Sequence, residues 1–386
     1  MYAAPPTCLT KTASCQEVYA GFYSCRKDSL FARLVTGLLH YSSCYLLATL
    51  AAGILFILCS CRREEPDTTF SPTIAKSRHT IEFSFADAEG LDKPESFTTS
   101  QTDSILFFSY HNDSDENLDS YSKLPFSAQT ELILTHGPKT LVALYGFKEE
   151  ELYYKDISSL KSMRKFCALL EQENPMHPRM SGMIRVEAGI EKNISLKLEP
   201  LLSEIVIKSL RADFSGQSYE GLELDSVRCY LCYANCACPI LETEPVRAYV
   251  LCNYGFLNKE ELKQFSHPEM LVKSLDGTIE KNGREVDLKF YCYPIRQTSE
   301  ESIAPFTRLV IEASIGGDRF YYPIDLEPYI SSFTPHGMLR NKSYQMDIIL
   351  TRLGSKDPDQ LIEDKDVFLH FSIYPWERYR EKTEKF

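Results

Sequence analysis

Glycine, proline and tryptophan are all scarce in this chain: 17, 20 and one among 386 residues. A collagen-like repeat or a low-complexity disordered polymer is therefore excluded, because both need glycine or proline in bulk. Long basic runs are missing too. With a net charge of −12 and a pI near 5.3, the surface would repel a phosphate backbone, so nucleic acid is excluded as a partner. Long hydrophobic runs are confined to one place, residues 44–61, which excludes a multi-span membrane protein. Catalytic signatures are absent as well. G-x-S-x-G, G-x-G-x-x-G and the P-loop do not occur, and no two of the eight histidines form an H-x-x-x-H pair. Neither a nucleophile–base pair nor a cofactor cradle can be read, and the expected function is not enzymatic.

What is abundant is aromatic: 23 Tyr and 22 Phe, a bias toward strands. Ahead of them lies a leader. Residues 44–61 read CYLLATLAAGILFILCSC, with Arg26, Lys27 and Arg33 upstream and Arg62-Arg63-Glu64-Glu65 directly after. A positive start, a short apolar stretch and small residues at its end describe a secretory signal. Leu58-Cys59-Ser60-Cys61 resembles the bacterial lipobox, in which a small residue precedes a cysteine that is acylated and becomes the mature N-terminus. Cys61 is the expected lipid site; its acyl chains, at about 0.8 kcal/mol per buried methylene, would hold the protein in a membrane. An uncleaved transmembrane anchor is the alternative. Residues 1–60 are thus read as a signal peptide with an over-extended start, and 61–78 as a lipidated tether.

The mature chain alternates with period two. Ile81, Phe83 and Phe85 mark a strand, and similar segments follow at 105–110, 132–135, 140–145 and 183–187. His136-Gly137-Pro138-Lys139 reads as a hairpin turn between two of them. Ile157, Leu160, Met163, Cys167 and Leu170 recur at three- and four-residue steps, which predicts one helix. Pro200 marks the expected boundary between an N-terminal sandwich (79–200) and a C-terminal one (201–386). Beyond it, strands are predicted at 204–207, 227–233, 247–252, 286–293, 307–315, 318–324, 344–352 and 366–374, with Gly316-Gly317 as a two-residue hairpin loop. Short strands at this spacing without alternating helices predict an all-β fold of two β-sandwiches in tandem.

Several segments carry a resemblance. SLKLEPLLSEIVIK (195–208), RCYLCYANCACPIL (228–241), HPEMLV (267–272), LKFYCYPI (288–295), TRLVIEASIGGDRFYYPIDL (307–326), RNKSYQMDIILTRLGSKDPD (340–359) and FLHFSIYPWE (368–377) are similar, in order, to the fimbrillin-type subunits of Bacteroidales type V fimbriae. The nearest branch is that of the accessory lipoproteins. The resemblance implies two transthyretin-like sandwiches, export to the outer membrane surface, other fimbrial subunits as partners, and assembly by exchange of β-strands. Glu64-Glu65 after the lipid site resembles the surface-export signal of Bacteroidetes lipoproteins.

A donated strand must be terminal, extended and alternating, and must follow a flexible joint. Val367, Leu369, Phe371 and Ile373 share one face of a last strand that qualifies, with 354–365 as the joint. An ordinary edge strand reads identically. In the family, shaft subunits open their groove when an arginine-specific protease removes the first strand. Arg78 is the candidate cleavage site here, and it is placed just before the first strand, so a cut would release only the tether. That departure favours an accessory, anchor or tip role. The alternative is a monomeric surface lipoprotein that binds a glycan or a host protein through its loops.

Two clusters remain. Cys229, Cys232, Cys236 and Cys238 lie within ten residues, and are open to three readings: small buried residues, disulfide partners (Cys252 and Cys292 being further candidates) or zinc ligands. Asp113, Asp115, Asn117 and Asp119 begin like a calcium loop, but Leu118 and Leu124 stand where such a loop needs Gly and Glu, so a solvated acidic loop is expected.

Overall fold

The computed structural model describes residues 75–85, 104–127, 129–241, 250–295, 305–334, 337–362 and 366–375, all within a single body spanning 74–386. Leu58, Cys59, Ser60 and Cys61, with most of the expected tether, lie outside the described residues. Eight strands come first: β1 (Lys76–Phe85), β2 (Ser104–His111), β3 (Leu118–Pro125), β4 (Gln129–Thr135), β5 (Gly137–Tyr145), β6 (Cys167–Leu169), β7 (Met180–Ala188) and β8 (Asn193–Pro200). All but β6 join one sheet in the order β3-β2-β5-β7-β8-β1-β4.

That sheet doubles over to make a sandwich. Alternation along β1, β4 and β8 turns Ile81, Leu132, Leu134, Leu196 and Leu198 inward, where they meet Ile105, Phe107 and Leu141. The fold-over lies between β7 and β8, which pair only at Met180↔Pro200 and Ser181↔Glu199. Gly182 is required there, since a Cβ would stand 2.2 Å from the Lys197 carbonyl oxygen. β2 and β5 are buried on both faces, which is why their sequences read as unbroken apolar runs. Leu160, Met163 and Leu170 cover their second face.

Two expectations fail in this half. The single helix predicted from Ile157 to Leu170 is two separate turns, Tyr154–Ile157 and Leu160–Met163, followed by β6. Ser159 interrupts it: its backbone is extended, bridges to Asn117, and its hydroxyl caps the second turn by accepting from the Ser162 amide. His136–Lys139 is not a hairpin turn, because β4 pairs with β1 while β5 pairs with β2 and β7. The segment crosses between layers, with the His136 amide bonded to the Ala75 carbonyl at 2.9 Å.

The second half supplies β9 (Ser203–Ala212), β10 (Asp225–Cys232), β11 (Ala234–Asn235), β12 (Ala237–Pro239), β13 (Leu251–Cys252), β14 (Val272–Ser274), β15 (Arg284–Cys292), β16 (Arg308–Ile315), β17 (Asp318–Asp325), β18 (Lys342–Leu350) and β19 (Val367–Pro375). Sheets β14-β10-β16-β17 and β15-β9-β18-β19 enclose Ile205, Ile207, Leu231, Ile311 and Ile348. Gly316 and Gly317, at φ +60° and +90°, close the β16–β17 hairpin, a backbone that residues with a Cβ resist. Each half repeats one device. The first strand lies parallel to the last or last-but-one: β1 beside β8, β9 beside β18.

Polar groups sew the halves together. β6 pairs with β12. The buried Arg340 guanidinium donates to the carbonyls of Ser181 (3.2 Å) and Glu199 (3.0 Å). Buried Glu173 accepts from the Arg179 amide (3.1 Å) and the Tyr293 hydroxyl (2.8 Å). Its carboxyl is pushed up to about 7 by burial, against the pull of Arg179.

Candidate functional site: the terminal strands

β19 is an edge strand of its own sandwich. All nine residues pair with β18, from Val367↔Leu350 to Pro375↔Lys342. Val367 is buried, whereas Leu369, Phe371 and Ile373 on the same face are only half-buried. Phe371 is the best-packed of these, with the rings of Tyr329, Phe333 and Tyr344 at 5.9, 6.0 and 6.3 Å. The opposite face exposes Phe368 (60%) and Tyr374 (49%). No lysine, arginine or acid interrupts Val367–Pro375, and among the described residues no strand pairs with its other edge.

Residues 354–359 of the expected flexible joint are fastened rather than loose, while 363–365 lie outside the described residues. Gly354 passes so close to β17 that a Cβ would stand 2.2 Å from the Tyr321 carbonyl oxygen. Ser355 and Tyr321 then exchange two backbone hydrogen bonds of 2.8 Å. Tyr322 donates its hydroxyl to the Arg352 carbonyl at 2.8 Å. Further along, the Asp359 carboxylate accepts from Arg308 Nη1 and from the Tyr233 hydroxyl, both at 2.6 Å, while Arg308 Nε also holds Asp325 at 2.6 Å. Burial, and then the bond to Asp359, raises the Tyr233 phenol above its ordinary range. These carboxylates come from segments far apart in the chain, so no spacing in the sequence announces the clamp.

β1, at the other terminus, is internal. It pairs antiparallel with β4 and parallel with β8. Arg78 lies inside this strand, opposite Ile133, rather than ahead of it, and its guanidinium reaches Glu131 at 3.3 Å. The ladder starts at Lys76, five residues before the apolar alternation begins at Ile81, because backbone pairing needs no apolar side chain. A cut after Arg78 would take three paired residues and leave His79–Phe85 in place.

The cysteines are core residues. Cys229 and Cys232 point into different apolar clusters, as two residues three apart on a strand must. Cys236 and Cys252 both donate to the Ala234 carbonyl, at 3.4 and 3.5 Å. Burial pushes the Cys229 and Cys232 thiols up to about 12, and Cys236 well above its ordinary value, so at neutral pH these sulfurs are protonated and poorly nucleophilic. Cys167, Cys229, Cys232, Cys236, Cys238, Cys252 and Cys292 are all free thiols, so the disulfide reading is not realised. In the acidic loop, Asp113 accepts from the amides of Asp115 and Glu116 (3.0 and 2.9 Å), an Asx turn that lowers its carboxyl. Asp119 has left that loop: it belongs to β3.

No family model and no curated protein matches the chain. Solved structures do. A "putative cell adhesion protein" from Parabacteroides distasonis ATCC 8503 aligns at TM-score 0.57 and 12% identity, over 80% of this chain and 99% of that one. Another from Bacteroides eggerthii DSM 20697 aligns at 0.55 and 13%, over 78% and 96%. A fimbrilin from Porphyromonas gingivalis W83 aligns at 0.52 and 14%, over 77% and 97%. At these identities the likeness is one of fold, and it spans nearly the whole of each of those proteins.

Proposed function

We propose that the chain is a structural and adhesive subunit of a cell-surface fimbria, lipid-anchored at Cys61 in the outer membrane, in an accessory, anchor or tip position. The observation that carries this reading is the match of the tandem-sandwich fold, over 77–80% of the chain, to a fimbrilin from Porphyromonas gingivalis and to proteins described as "putative cell adhesion protein" from Parabacteroides and Bacteroides. The accessory position is favoured by the two termini. β1 has a neighbour on each side and β19 pairs within its own sheet after a segment clamped at Asp359, which supports a chain that neither opens a groove nor offers a strand at rest. Its partners would be other fimbrial subunits, with a glycan or host protein as the adhesive ligand.

The test is to shear fimbriae from cells and quantify this chain against the principal subunit. A substoichiometric, fimbria-bound fraction is expected. Complete absence from sheared fimbriae, with a monomer recovered from the outer membrane, would favour the loop-binding lipoprotein instead. A fatty-acid probe should label the wild type and not Cys61→Ala.

A further inference from the structure

Among the described residues Lys139 is the most deeply buried cation, with 2% of its side chain exposed, and it faces more than a lone counter-charge. Its Nζ lies 3.2 Å from Asp119 Oδ2 and 3.1 Å from His111 Nδ1. The other imidazole nitrogen, Nε2, lies 3.3 Å from Asp119 Oδ1. Asp119 Oδ2 also accepts from the Thr135 hydroxyl at 2.6 Å. The three side chains come from adjacent strands. His111 on β2 stands opposite Lys139 on β5, and Asp119 is the extra residue of a bulge in β3, where pairing slips between Ser109↔Ser120 and Tyr110↔Leu118. A bulge re-aims the side chain it carries, and this one aims a carboxyl across β2 at an amine.

We propose that Lys139 and Asp119 condense to an intramolecular isopeptide bond, with His111 as the proton relay. The geometry selects one neutral tautomer of His111: Nδ1 accepts from the lysine ammonium and Nε2–H donates to the carboxylate. Passing a proton in at Nδ1 and out at Nε2 leaves a neutral amine beside a carboxylic acid. Nζ then attacks Cγ. The Thr135 hydroxyl donates to the oxygen that gains charge, as an oxyanion donor does. A nitrogen proton returns through the imidazole, the Cγ–OH bond breaks, water leaves, and an amide remains. No oxidant or cofactor enters the balance. His111 is nearly half exposed, which gives the water and the proton a way out, while the amine and the carboxyl stay sheltered. An ion pair held out of water surrenders solvation, and condensation removes both charges permanently. The product ties the edge strand β3 covalently to β5 across β2.

Intact-mass spectrometry of the purified chain, compared with the mass calculated from its observed ends, is decisive. The expected mass is lower by one water, about 18 Da. Tryptic digestion should join the peptide ending at Lys123 to the one spanning Leu124–Lys148, with fragmentation placing the branch at Asp119 and Lys139. Asp119→Ala and Lys139→Arg should each restore the full mass, and His111→Ala should slow conversion at least tenfold. A wild type at full mass overturns the proposal. So does a water loss that persists in Lys139→Arg, which would point to a succinimide at Asp276-Gly277. The wild-type measurement needs no variant, so it decides the matter even where a substitution fails to fold.

Discussion

The first and last described strands of this chain are built in opposite ways. β1 has a neighbour on each side, fully buries Ile81 and nearly buries His79, and sits at the middle of the contacts that close the first sandwich. β19 has one neighbour, one buried anchor in Val367 and three half-buried apolar residues. The first strand is therefore a component of its core, and the last is an addition to one. Of the two terminal strands, the first is the harder to part with.

The largest expected effect breaks β1. Ile81→Asp would bury an unpaired carboxylate in the first core, and no cooperative unfolding transition should remain by circular dichroism. Next comes truncation of 360–386. Losing Val367 costs about 1.5–3 kcal/mol and each half-buried partner about half that, so the loss should be roughly 4–7 kcal/mol by urea titration. Unchanged stability would overturn the contrast and return β19 to the role of a projecting donor.

A third perturbation leaves both strands alone. Glu173 binds its proton more tightly folded than unfolded, with a folded pKa of about 7 against an ordinary 4.5. The native state then holds more protons than the unfolded state across that window. Its contribution is fully present below pH 4.5 and is lost as the pH rises through 7, to the extent of about 3 kcal/mol. Glu173→Gln should flatten that slope, and an unchanged pH profile would refute the assignment. The smallest effect is at the clamp. Tyr233→Phe removes one hydrogen bond to Asp359, worth about 1 kcal/mol. Proteolysis of residues 351–362 should quicken while global stability stays almost constant.

Most strands were legible because one buried face per strand leaves a period-two signature, as in β1, β8 and β19. β3 was not, since its solvent-facing pattern (Leu118–Pro125) carries no run of buried residues and overlaps an acidic loop. The false helix arose from real apolar spacing: Leu160, Met163 and Leu170 do share a burial site, but from one helical turn and a separate 3-10 segment rather than one cylinder. The alternation of β19 was visible in sequence, but its place at the sheet edge was not, since a donor and an edge strand read identically. The Arg308–Asp359–Tyr233 clamp and the Lys139–Asp119–His111 cluster were not, because their members meet only after non-local strands pair.

The parallel pairs have a mechanical consequence. A pull between the two ends of the described chain draws β1 by its start while β8 is held by its end. In the second half the last link is β19, whose end pairs with the start of β18, so β9 and β19 are drawn from the same end of their sheet. In a parallel ladder, forces at opposite ends run along the strands, so the inter-strand hydrogen bonds are strained together in shear rather than opened one by one like a zip. Of the two parallel pairs, the one in the first sandwich lies on the line of tension. A chain stretched between its two ends would resist at the β1–β8 ladder, whereas β19 would peel from β18 one pair after another.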